Sequence, residues 1–148
     1  MSDRLSVRRR SWNMSRIRSV NTAPEKKVRS LLHSLGFRFR LHRKDLPGSP
    51  DIVLPKHSTV VFVHGCFWHQ HHGCKAACKP ASHNDYWEPK FVRNIQRDQE
   101  NVRNLEFFGW NVIVVWECEL NYPDLLTRKL VKKLSVNRKN LSKTYVRQ

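Results

Sequence analysis

Asp51, the histidines His64 and His69, and the thiol and imidazole series Cys66, His71 and Cys74 are the residues whose types and spacing could do chemistry. Asp51 follows Pro47-Gly48-Ser49-Pro50 and opens a short β-branched run, which sets a carboxylate at a sheet edge. Mg²⁺ needs only one or two protein oxygens beside substrate phosphate, so one such carboxylate can anchor it. His64 and His69 bracket a four-residue loop directly after a second β-branched run. An imidazole near its ordinary pKa takes a proton from water or gives one to a leaving oxygen. Cys66, His71 and Cys74 form C-x4-H-x2-C, a compact set of soft and borderline ligands for tetrahedral Zn²⁺. The fourth ligand is either Cys118 or the nearer Cys78, and His72 competes with His71. Phe67 and Trp68 lie between these groups and suit a wedge between base pairs, with Met14 probing the same step from the opposite groove.

These groups need a scaffold, and the apolar pattern supplies one. Thr22-Ala23-Pro24-Glu25 reads as a capping box, Val28, Leu31, Leu32 and Leu35 form one apolar helix face, and Gly36 stops it. Phe37, Phe39 and Leu41 alternate with Arg38, Arg40 and His42 as a half-buried strand. The runs Asp51 to Leu54 and Thr59 to Val63 predict a hairpin that enters the sheet centre. Phe91, Ile95, Val102 and Leu105 mark a long helix ended by Gly109, Val112 to Trp116 is a buried strand, and a last helix begins near Pro123 with Leu126, Leu130 and Leu134 inward. The order α-β-β-β-α-β-α predicts a central mixed sheet flanked by helices.

The chain has 148 residues, enough for one domain, and its 28 Lys and Arg against 12 Asp and Glu give a net charge of +16. That balance points to a polyanion, with affinity that falls steeply as salt rises. The N-terminus lacks the apolar run of a secretory signal, and no stretch approaches the roughly 20 apolar residues of a membrane span, so a cytosolic protein with no membrane partner is expected. In that compartment four cysteines read as metal ligands or core thiols rather than disulfides. Residues 1–21 are expected to be a basic arm that orders on its partner, 22–131 the domain proper and 132–148 a basic tail.

In order along the chain, Asn13-Met14, Thr22 to Glu25, Leu46-Pro47-Gly48-x-Pro50-Asp51, Val63 to His69 and Val114-Val115-Trp116-Glu117-Cys118 resemble the very-short-patch repair (Vsr) DNA mismatch endonucleases. The resemblance runs from about Arg10 to Leu120. It implies a restriction-endonuclease-like α/β fold with a zinc-stabilised loop. It also implies a Mg²⁺-dependent nick in one strand, 5′ to the thymine of a T:G mismatch left by deamination of 5-methylcytosine. On these positions Asp51 would hold Mg²⁺ with the backbone carbonyl of Val63, His69 would be the general base, and His64 and Glu25 would complete the site. Phe67, Trp68 and Met14 would intercalate, and Cys66, His71, Cys74 and Cys118 would hold a structural zinc. The resemblance further implies a monomer acting on double-stranded DNA in a bacterial cytosol, close to the nucleoid, with repair proteins following the nick. Where the wider fold carries an acidic-x-Lys motif, this chain has Phe62-Val63-His64 and no lysine to polarise water. Two other classes fit part of the pattern: a zinc-stabilised DNA-binding or architectural module without turnover, and a restriction nuclease of the same fold.

Overall fold

The computed structural model describes residues 6–9 and 21–145, with side chains through residue 135. Met14 and the centre of the basic arm lie outside the described residues. Helix α1 spans Ala23–Ser34, and its N-cap Thr22 accepts the Glu25 amide through its hydroxyl at 3.4 Å. The second half of the expected capping box is displaced by one residue: the Glu25 carboxylate accepts the amide of Asn21, at 3.0 Å, because the same oxygen is also held by Arg29 one turn on. Past the helix, Gly36 adopts φ +88°. The amides of Gly36 and Phe37 then donate to the carbonyls of His33 and Leu32, closing a Schellman motif that turns the chain towards the sheet.

Four strands form one sheet in the order β1 (Arg40–Leu41), β2 (Ile52–Leu54), β3 (Thr59–His64), β4 (Asn111–Trp116). The first two pairings are antiparallel and β3–β4 is parallel, so the sheet is mixed as the pattern predicts. Parallel pairing requires a crossover, supplied by helix α2 (Asn84–Phe107). Helix α3 (Pro123–Tyr145) closes the chain order.

On one face of the sheet Val28 and Leu32 of α1 and Leu126, Leu130 and Leu134 of α3 pack on Ile52, Leu54, Val61, Ile113 and Val115. On the other face Leu105 of α2 meets Val53, Val60 and Phe62. Covering both faces explains why β2 and β3 read as continuous apolar runs rather than alternating ones. Strand β1 is shorter than the expected Phe37 to His42. Its partner β2 has three residues, and His42 takes φ +47°, which ends the extended run. Phe37 and Phe39 still pack against the core. Helix α3 passes residue 132 without a break, and Leu134, at 0% exposure, anchors it. Among the described residues no helix is long and apolar enough to cross a membrane.

Candidate active site and metal centre

The carboxylate of Asp51 sits just before β2, where the ladder to β3 ends, and its Oδ2 accepts the Val63 amide at 2.8 Å. Burial is the largest influence on it and pushes its pKa up to about 7; the Val63 hydrogen bond works against this, and the charge of Glu25 adds to it. Glu25, 3% exposed, comes from the first turn of α1 and pairs with Arg29 at 3.1 Å. Arg29 also reaches His42 Nε2 at 2.8 Å. Arginine only donates, so that ring nitrogen accepts in this contact, and the Glu25 carboxylate lies 3.7 Å from the same atom. Ligand atoms of Glu25, His42 and Asp51 all lie within 4.8 Å of one another.

His64 ends β3 and is buried, its ring stacked on that of His69 with centroids 3.9 Å apart and planes 4° from parallel. Burial first and the neighbouring His69 second lower its pKa to about 4, with Asp98 opposing both. The ring of His69 meets Asp98 of α2, with Nδ1 and Oδ2 2.5 Å apart. A carboxylate on Nδ1 fixes the tautomer and leaves Nε2 as the acceptor, the arrangement a general base needs. Asp51, Glu25, His42, His64, His69 and Asp98 line one cleft of about 720 Å³.

Sequence reasoning missed Asp98 and His42. Asp98 interrupts the apolar stripe of Phe91, Ile95, Val102 and Leu105 with an acid at an inward position, which was the available signal. His42 alternates with the apolar residues of the expected strand and so carries no sign of a site, and only the approach of α1 to β1 reveals its partners.

A second cluster lies behind the histidines. Ligand atoms of Cys66, His71, Cys74 and Cys118 fall within 4.8 Å of one another, and His71 Nδ1 is 3.7 Å from Cys66 Sγ and 3.4 Å from Cys118 Sγ. A tetrahedral zinc with ordinary bond lengths spaces N and S ligands about 3.6 Å apart, so the donor set fits. Without a metal's charge, burial pushes the Cys66 thiol up to about 12 and raises Cys118, while backbone amides of Ala76 and Ala77 lower Cys74. His72 and Cys78 are exposed and lie outside the cluster. Cys118 arrives because parallel pairing sets His64 opposite Trp116. Trp116 stacks on His71 at 4.1 Å and meets the edge of His64 at 5.2 Å, so one indole touches both centres.

Phe67 and Trp68 are half-buried rather than projecting. Phe67 packs edge-on against Trp87 and Phe91 of α2 as well as against Trp68. Asn94 of the same helix donates to the Trp68 carbonyl at 3.0 Å.

A family model described as DNA mismatch endonuclease Vsr matches residues 2–76. The chain is 60% identical over 130 residues to the type II nicking enzyme V.XorIIP of Xanthomonas oryzae pv. oryzae, covering 88% of this chain and 95% of that protein. It is 42% identical over 118 residues to the DNA mismatch endonuclease Vsr of Escherichia coli (strain K12), covering 80% and 75%. Among solved structures, the catalytic domain of homing endonuclease I-Bth0305I matches with a TM-score of 0.55 at 17% identity, over 79% of this chain and 98% of that one, a likeness of fold. With an acid and histidine cleft at the strand ends of that fold, the chain is a DNA endonuclease and belongs to the Vsr DNA mismatch endonuclease family.

Proposed function

We propose that this endonuclease nicks one DNA strand 5′ to the thymine of a T:G mismatch, with Mg²⁺ at Asp51 and structural Zn²⁺ at Cys66, His71, Cys74 and Cys118, and that it acts as a monomer on DNA in the bacterial cytosol. The observation that carries the reading is the meeting of Asp51 with the His69–Asp98 pair in one cleft. A strand residue presents its amide and carbonyl to the same side, so the Val63 carbonyl faces Asp51 as its amide does. Bound there, Mg²⁺ would supply charge neutralisation at the scissile phosphate. His69 takes the proton of the attacking water through Nε2, and Asp98 steadies the resulting imidazolium. His64, kept neutral by burial, holds the His69 ring plane by stacking. Phe67 and Trp68 would open the base stack at the mismatch by leaving their packing on α2, since a mispaired step costs least to unstack.

The test is a nicking assay with Mg²⁺ on T:G and fully matched duplexes of one sequence. The T:G duplex is nicked in the thymine strand and the matched duplex stays intact. Asp51→Ala abolishes nicking while keeping DNA binding, and Asp98→Asn lowers kcat by about 10²–10⁴-fold. Equal cutting of both duplexes would sink the mismatch reading, and double-strand cleavage of a matched site would favour a restriction nuclease.

A further inference from the structure

His64 and His69 divide the catalytic cleft from a second one. This cleft, about 820 Å³, shares His64, His69 and Asp98 with the first and adds Gln99, Arg103 and Trp116. Helix α2 runs beside both. At about 100° per residue, Arg97 and Asn101 fall to one side of Asp98, and Gln99, Val102 and Arg103 to the other. The clefts divide in the same way: Arg97 and Asn101 line the catalytic cleft, and Gln99, Val102 and Arg103 line the second. Asp98 therefore stands on the ridge between them, hydrogen-bonded to His69 Nδ1.

Arg97 and Arg103 are separated by six residues, about 9 Å along the helix axis. Phosphates of one DNA strand advance about 3.4 Å per nucleotide along the duplex axis, so the rise between the two residues alone matches between two and three steps, and their divergence by about 120° around the helix adds to it. A strand crossing the ridge can thus set one phosphate at the His69–Asp98 pair and the neighbouring phosphates beside the two arginines. Val102 and Trp116 give the second cleft an apolar floor, suited to a sugar and base face rather than to a free anion.

We propose that the second cleft is a strand-binding subsite, in which Arg103 grips a phosphate flanking the scissile one and Arg97, steadied by Asn94 at 2.9 Å, grips its counterpart in the catalytic cleft. The inference rests on the reading above that the His69–Asp98 pair acts on the scissile phosphate. It is tested with Arg97→Gln, Arg103→Gln, their double variant and Arg103→Lys, measuring binding to T:G and matched duplexes across a salt series, and kcat and KM for nicking of the T:G duplex. Each glutamine lowers the slope of log affinity against log salt by about one, and the double variant by about two. The loss falls on KM more than on kcat, affects binding to T:G and matched duplexes alike, and is restored by Arg103→Lys.

Lys56→Gln serves as the comparison, since Lys56 is exposed at the far end of β3, about 17 Å of strand from His64. An Arg103→Gln slope equal to that of the unmodified protein, or a fall no larger than that of Lys56→Gln, overturns the subsite. Failure of the mismatch reading is separate: it shows as loss of T:G preference in the unmodified protein, whatever the slopes.

Discussion

Two residues in the cleft bind protons differently in the folded and unfolded chain, with opposite signs. Asp51 is raised from its ordinary value near 3.8 to about 7, so between those limits the folded state keeps a proton that the unfolded state releases, and stability falls as pH rises. His64 is lowered from near 6.5 to about 4, so the unfolded state takes a proton that the folded state refuses, and stability rises with pH. Over the shared window the two slopes cancel, each being at most about 1.4 kcal/mol per pH unit. Asp51→Asn leaves His64 alone, so acidification from about pH 6.5 to 4.5 destabilises this variant relative to the unmodified protein. His64→Gln leaves Asp51 alone and reverses the sign. Urea denaturation without Mg²⁺ across that range measures both, and slopes of the same sign in the two variants would contradict the burial of either group.

At the scale of elements, the site depends on how closely α2 approaches the turn before Asp51. Gly48 takes φ +76°, and a Cβ built there would come within 2.7 Å of the Asn101 side chain on α2. Both the backbone angle and the contact exclude a side chain, so Gly48→Ala is expected to cost about 1–3 kcal/mol. Because Asn101 is one turn from Asp98 and lines the catalytic cleft, nicking should fall beyond what the lost stability explains. Thermal melting and kcat of the folded fraction separate the effects; a fully active, equally stable variant would show that the approach is loose. The α1 cap and Gly36 were legible because each motif closes within a few residues. The extent of β1 was not: Phe37 and Phe39 alternate as a strand should, but pairing depends on β2, and the left-handed His42 stops it.

Across the whole molecule, Cys118 at the end of β4 meets the Cys66 to Cys74 loop, so a metal held by that cluster would tie the β3–α2 connection to the sheet. A metal bound to the folded but not the unfolded chain adds its binding energy to stability. Cys118→Ser, or removal of zinc by a chelator, should therefore lower the melting temperature by about 10 °C or more. It should also slow nicking, since Trp116 links His71 to His64. Metal analysis and melting curves check this together, and folded protein containing no zinc would falsify the assignment. The net charge of +16 acts at this scale too, drawing the protein to DNA whatever its sequence.

From the sequence alone came the helices, the buried hairpin, the mixed sheet, and the grouping of Asp51, His64, His69 and the cysteine loop, because periodicity, caps and short spacings are local properties of the chain. The tertiary structure decided the rest. Asp98 meets His69 from 29 residues away, and Arg29 meets His42 across 13, contacts that only packing of helix on sheet creates. The sequence left Cys118 against Cys78 and His71 against His72 undecided, since spacing permits either member of each pair. The parallel register of β3 and β4 brings Cys118 and His71 together and leaves the other two in solvent, because a ligand set is a matter of distance in space and not of separation along the chain.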